Sequence, residues 1–247
     1  MSNQQPNYCF YATILDSFTQ YLKSEAIYEK YYGWSENPPM TLDEFCQKQF
    51  QDLIDRINRV PIDSEAADRG TAFNEVVDAL IENRKPEGME VNRSEDNAAY
   101  TVAYNNRTFT FPIALCREFS TYFSGALTQQ RVEATLETCL GTVLVYGVID
   151  ELMPTSVHDI KTTGSYTVGK FKDHWQHIVY LYCLNQSGSD IRLFEYNITD
   201  FRETYTESYA FVPERDIPML RNHCEDFIRF VEAHRDKITD QKIFGKP

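Results

Sequence analysis

A chain of 247 residues with 42% hydrophobic content is long enough to bury one generous core, or a core with an added helical segment. The formal charge of −13 argues against nonspecific nucleic-acid binding across a whole face, because such binding rests on Lys and Arg neutralising phosphates. The six cysteines lack CxxC or tight Cys/His spacing, which argues against a zinc finger or a disulfide framework, and no apolar run approaches the roughly 18 residues of a membrane span. With the polar start MSNQQPN, the expectation is a cytoplasmic protein with buried free thiols and no membrane partner.

In chain order, the first sixty residues predict two helices, from about Cys9 to Tyr32 and from about Thr41 to Val60, separated by the breaker run Gly33 to Pro39. Thr41 and Glu44 have the spacing of a capping box. Ser64 is placed to cap a third helix running to about Asn83, and Asn105-Asn106 marks the turn of a hairpin over Ala98 to Phe111. Pro112 opens a helix to about Gly125. Three strands rich in Val, Thr, Leu and Ile follow, at Arg131 to Cys139, Thr142 to Asp150 and Ser156 to Lys161. Then come a helix from about Lys172 to Asn185, strands at Ile191 to Ile198 and Thr204 to Phe211, and a last helix from about Glu214 to Arg235. This order implies an α/β fold with a mixed central sheet flanked by helices, read as one domain: a helical extension over 1–60, a core over 64–211, and a C-terminal helix and tail over 212–247.

The segment that carries chemistry is Gly147-Val148-Ile149-Asp150, then eight residues, then Asp159-Ile160-Lys161-Thr162-Thr163. Alternation along a strand puts Asp159 and Lys161 on one face and Ile160 in the core. Asp150 ends the preceding strand, so a short turn through Met153-Pro154 brings two carboxylates within reach of one cation. Oxygen ligands of this kind suit Mg²⁺ or Mn²⁺, with the Ile160 carbonyl as a further ligand. A lysine two residues from such a carboxylate can orient an attacking water and stabilise charge developing on a phosphate. Local basic surplus is slight: Lys161, Lys170, Lys172 and three of the five histidines lie between positions 158 and 177, with Asp159 and Asp173.

These residues resemble the PD-(D/E)XK nuclease superfamily, in its RecB-like and lambda-exonuclease-like branches. Gly147 to Asp150 is similar to the second motif and Asp159-Ile160-Lys161 to the third. Gln176-His177-Ile178-Val179-Tyr180 is similar to the QxxxY signature, and Arg69-Gly70-Thr71-Ala72-Phe73-Asn74 to the RGTxxH pattern that opens such cores. The resemblance covers about Asp68 to Tyr182. It implies a restriction-endonuclease-like core, with additional N-terminal helices here, that hydrolyses DNA with Mg²⁺ or Mn²⁺ as an exonuclease or a recombination or repair nuclease. Asp150, Asp159, Lys161 and Gln176 would be catalytic, with Asp150, Asp159, Ile160 and Asn74 at the metal and Arg69, Thr162, Thr163 and Tyr180 toward DNA. The position of Asn74 usually holds His or Glu; on the helical wheel Asp78, one turn on, is the next-best acid, whereas Glu75 points away from the buried face. Relatives that carry an iron–sulfur cluster use cysteines grouped near the C-terminus; only Cys224 lies there, so no cluster is expected.

Plainer readings stand beside these. Asp150 and Asp159 can be strand-end carboxylates, Gln176 and Tyr180 a helix side packed on the sheet, and Thr162 and Thr163 ordinary turn residues. Glu133 and Glu137 alternate on one strand face, as either a second metal site or a solvated surface. His174 and His177, spaced by three without a partnering ligand, read as solvated helix positions or phosphate contacts. The alternative function is a nuclease-like fold without catalysis, serving as a nucleic-acid-binding or protein-assembly module, a reading favoured by Asn74 and the acidic surface.

Overall fold

The computed structural model describes residues 5–245. The chain opens with a short strand, β1 (Tyr8–Tyr11), that runs directly into α1 (Ala12–Leu22); α2 (Ser24–Tyr32) and α3 (Leu42–Ile57) follow. The long first helix expected from the sequence is broken at Lys23, and its first residues are strand. Four residues of Tyr-Cys-Phe-Tyr merge with a helical pattern, which hides them. The Thr41–Glu44 capping box forms in both directions, and Ser64 caps α4 (Glu65–Ile81) through the Ala67 amide.

A strand without a sequence expectation, β2 (Glu90–Arg93), pairs with β3 (Ala99–Tyr104), which forms a hairpin with β4 (Arg107–Pro112). Asn105 and Asn106 both have positive φ (49° and 60°), as a two-residue hairpin turn requires. Next come α5 (Ile113–Tyr122), β5 (Leu127–Thr138), β6 (Gly141–Leu152), β7 (Ser156–Thr162), α6 (Gln176–Gln186), β8 (Leu193–Thr199), β9 (Thr204–Ala210) and α7 (Pro213–Ala233). The fold is α/β, with a mixed central sheet flanked by helices.

The six-stranded sheet runs β1-β6-β7-β8-β9, with β5 on the other side of β6. One edge of β6 is taken by antiparallel β5 along its whole length, from Leu127 opposite Leu152 to Thr138 opposite Gly141. The other edge is shared. Parallel β1 covers Val143 to Tyr146, and antiparallel β7 meets only Glu151 and Leu152 before continuing alongside parallel β8. The N-terminal segment is thus not an appendage, since its strand completes the edge of the central strand.

Two apolar clusters result. The larger lies between the sheet and helices α1, α6 and α7, and includes Phe10, Leu15, Phe18, Val145, Val179 and Phe227. The smaller joins α4, α5 and the β2–β4 sheet through Phe73, Val77, Phe111 and Phe119, and also takes Ile160 of β7. Ile160 therefore points into a core, as alternation requires. Buried His158 fixes the preceding stretch of β7: its ring nitrogens meet Ser156 Oγ at 2.8 Å and Asn197 Oδ1 at 3.0 Å, which ties β7 to β8. No helix among the described residues is long and apolar enough to cross a membrane.

Candidate active site

The site forms where β6 and β7 part. Their ladder holds two pairs, Glu151 with His158 and Leu152 with Val157, and one further step of that register would set Asp150 opposite Asp159. The ladder ends before that step, so backbone groups at the fork need other partners. The Ile160 N–H donates to Asp150 Oδ2 at 3.0 Å. From α4, Asn74 Nδ2 donates to the same oxygen at 3.2 Å. Asp150 is thereby held by both strand and helix.

Asp159 is gripped from the other side. Its Oδ1 accepts from Gln176 Nε2 at 2.7 Å, and its Oδ2 lies 2.6 Å from Lys161 Nζ. Gln176 also reaches the Tyr180 hydroxyl, 3.1 Å away, across one turn of α6. The sequence-predicted set of Asp150, Asp159, Lys161, Gln176 and Asn74 is therefore brought together, with Ile160 contributing its backbone amide to Asp150.

The electrostatics follow from two buried acids facing each other. Burial, then the charge of Asp159, pushes the Asp150 carboxyl well above its ordinary range, while Lys161 and the Ile160 amide work the other way. Burial disfavours the Lys161 ammonium, but Asp159 and Asp150 outweigh it and its pKa is raised, so the lysine stays charged.

A second acidic pair lies behind the first. Glu151 is fully buried and neither of its carboxyl oxygens has a hydrogen-bond partner other than a shared contact with Asp78. Asp78, 1% exposed, accepts from Gln129 Nε2 at 2.9 Å, and burial raises its pKa to about 6. Burial, followed by the charges of Asp150, Asp78 and Asp159, pushes the Glu151 carboxyl well above its ordinary range. Asp78, the acid one turn beyond Asn74, thus faces Glu151. The signal for Glu151 was its parity with buried Val143, Val145 and Ile149 in β6.

Asp16, from the N-terminal helix to which sequence reasoning assigned no role, also reaches the site. Its Oδ1 accepts the Trp175 N–H at 2.5 Å, immediately before Gln176, and its Oδ2 lies 3.5 Å from His174 Nδ1. Burial raises its pKa to about 7, against the pull of the Trp175 amide and of Lys161. Its helical stripe with Ala12, Leu15 and Thr19, all buried, is the pattern that could have flagged it. Asp16, Lys161 and Gln176 line an open cavity of about 790 Å³ together with residues of α3 and the segment Val60 to Asp63.

The remaining candidates scatter. Tyr180 is 3% exposed and its ring packs against Gly147, where an added Cβ would come within 2.3 Å of it; its place is inside the protein, beside Gln176. The Arg69 guanidinium lies 4.7 Å from the Phe201 ring centroid. Thr162 abuts Gly70, and the Thr163 hydroxyl bonds the Ser165 carbonyl at 2.7 Å. Glu133 is paired with Arg131 and joins no second acidic site. His174 and His177, read as solvated helix positions or phosphate contacts, are half-buried, with His174 just before α6, and burial lowers both pKa values to about 4. His177 stacks on Tyr209 at 4.4 Å. Among the described residues, no three His, Cys, Asp or Glu side chains gather as one set of metal ligands.

No family model matches the chain, and no curated protein matches it. Among solved structures it is similar to one described as "Crystal structure of SSO0001", at 12% identity and a TM-score of 0.45, over 93% of this chain and 78% of that chain.

Proposed function

We propose that this protein is a divalent-metal-dependent deoxyribonuclease of the PD-(D/E)XK type, acting as an exonuclease or a recombination or repair nuclease. The observation that carries the reading is the convergence of Asp150, Asp159 and Lys161 where two strands part, with Gln176 on Asp159. A buried carboxylate pushed upward beside a second acid and a lysine, opening on a cavity, is the pattern of a functional site.

The donors fit a hard cation. Two carboxylates face each other, and Asn74 Oδ1 is a buried oxygen without a hydrogen-bond partner beside them. Asp150 and Asp159 would hold Mg²⁺ or Mn²⁺, and Asn74 would join them by turning its amide oxygen inward. The ion supplies a water of lowered pKa and Lewis-acid stabilisation of the phosphate. Lys161, charged and 23% exposed, faces the cavity and orients the attacking water while neutralising charge that develops on the phosphate. Gln176 fixes the Asp159 carboxylate, and the Asp16 bond to the Trp175 amide fixes the start of α6 from which Gln176 projects. No iron–sulfur cluster enters this reading, and the residues that face the site support DNA as substrate through chemistry alone.

The test is incubation of linear and circular DNA with Mg²⁺, Mn²⁺ or chelator, for wild type and Asp150→Ala. Metal-dependent loss of DNA in the wild type alone is expected. One observation favours a second reading, a binding or assembly module without catalysis: Asn74 supplies an N–H to Asp150 where a third acid would add charge. Absence of cleavage with every metal, together with no metal-dependent change in thermal unfolding, selects that reading.

A further inference from the structure

Beside the site, on the far side of Tyr180, lies a pocket of about 320 Å³, in the lower range of ligand sites. Its walls combine two aromatic rings and two arginines: Tyr11 of β1, Tyr146 of β6, Arg59 after α3, and Arg131 of β5. Tyr11 and Tyr146 are neighbours in the β1–β6 register, with ring centroids 6.2 Å apart. The Arg59 guanidinium lies 5.6 Å from the Tyr11 centroid and its Nη2 donates to the Tyr146 hydroxyl at 3.1 Å. The Arg131 guanidinium lies 5.1 Å from the Tyr146 centroid. A guanidinium is a flat, delocalised cation, and it occupies the face on which a nucleobase would stack.

We propose that this pocket binds an unpaired nucleotide of single-stranded DNA next to the scissile position. The base would stack on Tyr146 and Tyr11 and the phosphates would be held by Arg59 and Arg131. The inference rests on the nuclease reading for its place in the reaction, but its binding chemistry stands by itself. Thr13 lines both this pocket and the larger cavity that contains Lys161 and Gln176, so the two are neighbours. Tyr180 lines this pocket while its hydroxyl meets Gln176 of the larger cavity, and its ring covers the bare Gly147 at the pocket wall.

The charge is local. Each arginine has an acidic partner, Asp240 at 2.6 Å for Arg59 and Glu133 at 2.9 Å for Arg131. The arginine side chains are 48% and 61% exposed; the Arg131–Glu133 pair is open to solvent on both sides and exchanges readily for a phosphate, whereas Asp240 is 16% exposed and leaves Arg59 only its outer N–H groups to offer. Most of the surface repels DNA through the net charge of −13, so a strand is held at this point instead of along a face. The pocket is too small for a duplex, which selects an unpaired end or a frayed strand.

The experiment is fluorescence anisotropy of a labelled single-stranded oligothymidylate with the full chain in chelator, where no cleavage interferes. Wild type is compared with Arg59→Gln/Arg131→Gln, Tyr146→Phe and Tyr146→Ser, each checked by thermal unfolding. The double arginine variant and Tyr146→Ser are expected to bind at least tenfold more weakly, with a shallower salt dependence only for the arginine variant; Tyr146→Phe keeps the ring and binds within threefold of wild type. A blunt duplex, and the same strand with abasic positions, are expected to bind more weakly than the intact strand. Unchanged affinity in the double variant, or a lowered melting temperature with unchanged affinity, overturns the proposal and leaves the cluster as a brace of β1 on β6. No binding by the wild type also overturns it. Cleavage with Mn²⁺ separates the two readings: wild type that binds with this residue dependence but never cuts removes the nuclease and keeps the pocket. Wild type that cuts, with an unaffected double variant, removes the pocket and keeps the nuclease.

Discussion

Lys161 and Asp159 show how a single pair of side chains does two jobs. The lysine neutralises part of a buried acidic centre while presenting its ammonium to a cavity. Lys161→Ala is expected to lower DNA cleavage on the order of 10²–10³-fold, the usual cost of one transition-state donor, with metal binding largely kept. Single-turnover cleavage and a metal titration on the same preparation check this, and near wild-type cleavage makes the lysine structural. Asn74 carries the opposite lesson, since in the proposed cation site a neutral amide would stand where an anionic ligand is usual and would weaken metal binding. Asn74→His or Asn74→Glu is expected to lower the metal concentration for half-maximal cleavage, and the wild type to favour Mn²⁺ over Mg²⁺. Unchanged metal dependence in two well-folded variants places Asn74 outside the coordination sphere.

At the level of elements, β6 and α6 are mated through Gly147 and Tyr180. Gly147→Ala drives a methyl into the Tyr180 ring and should cost about 1–3 kcal/mol, as overpacking does; chemical denaturation measures it, and an unaltered midpoint shows that the contact relaxes freely. The sequence made β6, β7 and α6 legible because alternation and breakers mark them, and with them Asp150, Asp159, Lys161 and Gln176. Asp16 and Glu151 escaped for a physical reason: each is an acid on a buried face, and periodicity scores such a position as a defect instead of as chemistry. β1 escaped because four residues are too few for an alternating signal, and β2 because it is mostly exposed. Tyr180 was expected toward DNA, but its pKa is raised mainly by burial, and its spacing of four from Gln176 places it along the packed side of α6.

For the whole molecule, buried acids set the pH dependence. Above pH 6.5 the unfolded chain has ionised carboxylates, whereas the folded chain still holds a proton in part on Asp16, raised to about 7, and burial shifts Asp150 and Glu151 in the same direction. The folded state then binds more protons, so stability falls as pH rises from 6.5 to 8. His174 and His177, lowered to about 4, act in the opposite direction, but chiefly between pH 4 and 6.5, below that window. Melting temperatures in metal-free buffer are expected to drop across pH 6.5–8, and Asp16→Asn to flatten the slope. A melting temperature that climbs over that window contradicts the protonated acids.

The parallel seat of β1 on β6 also governs how the molecule comes to exist in time. Its register closes a loop of about 135 residues, as the Asn7 to Thr142 bond spans. Such distant pairing costs chain entropy before it returns any contact energy, and topologies of this kind fold slowly, on the order of milliseconds to seconds. Tyr11 and Asp16 both come with that segment, one to the edge of β6 and the other to the start of α6. The proposed site and the aromatic pocket therefore both depend on the docking of this one distant segment.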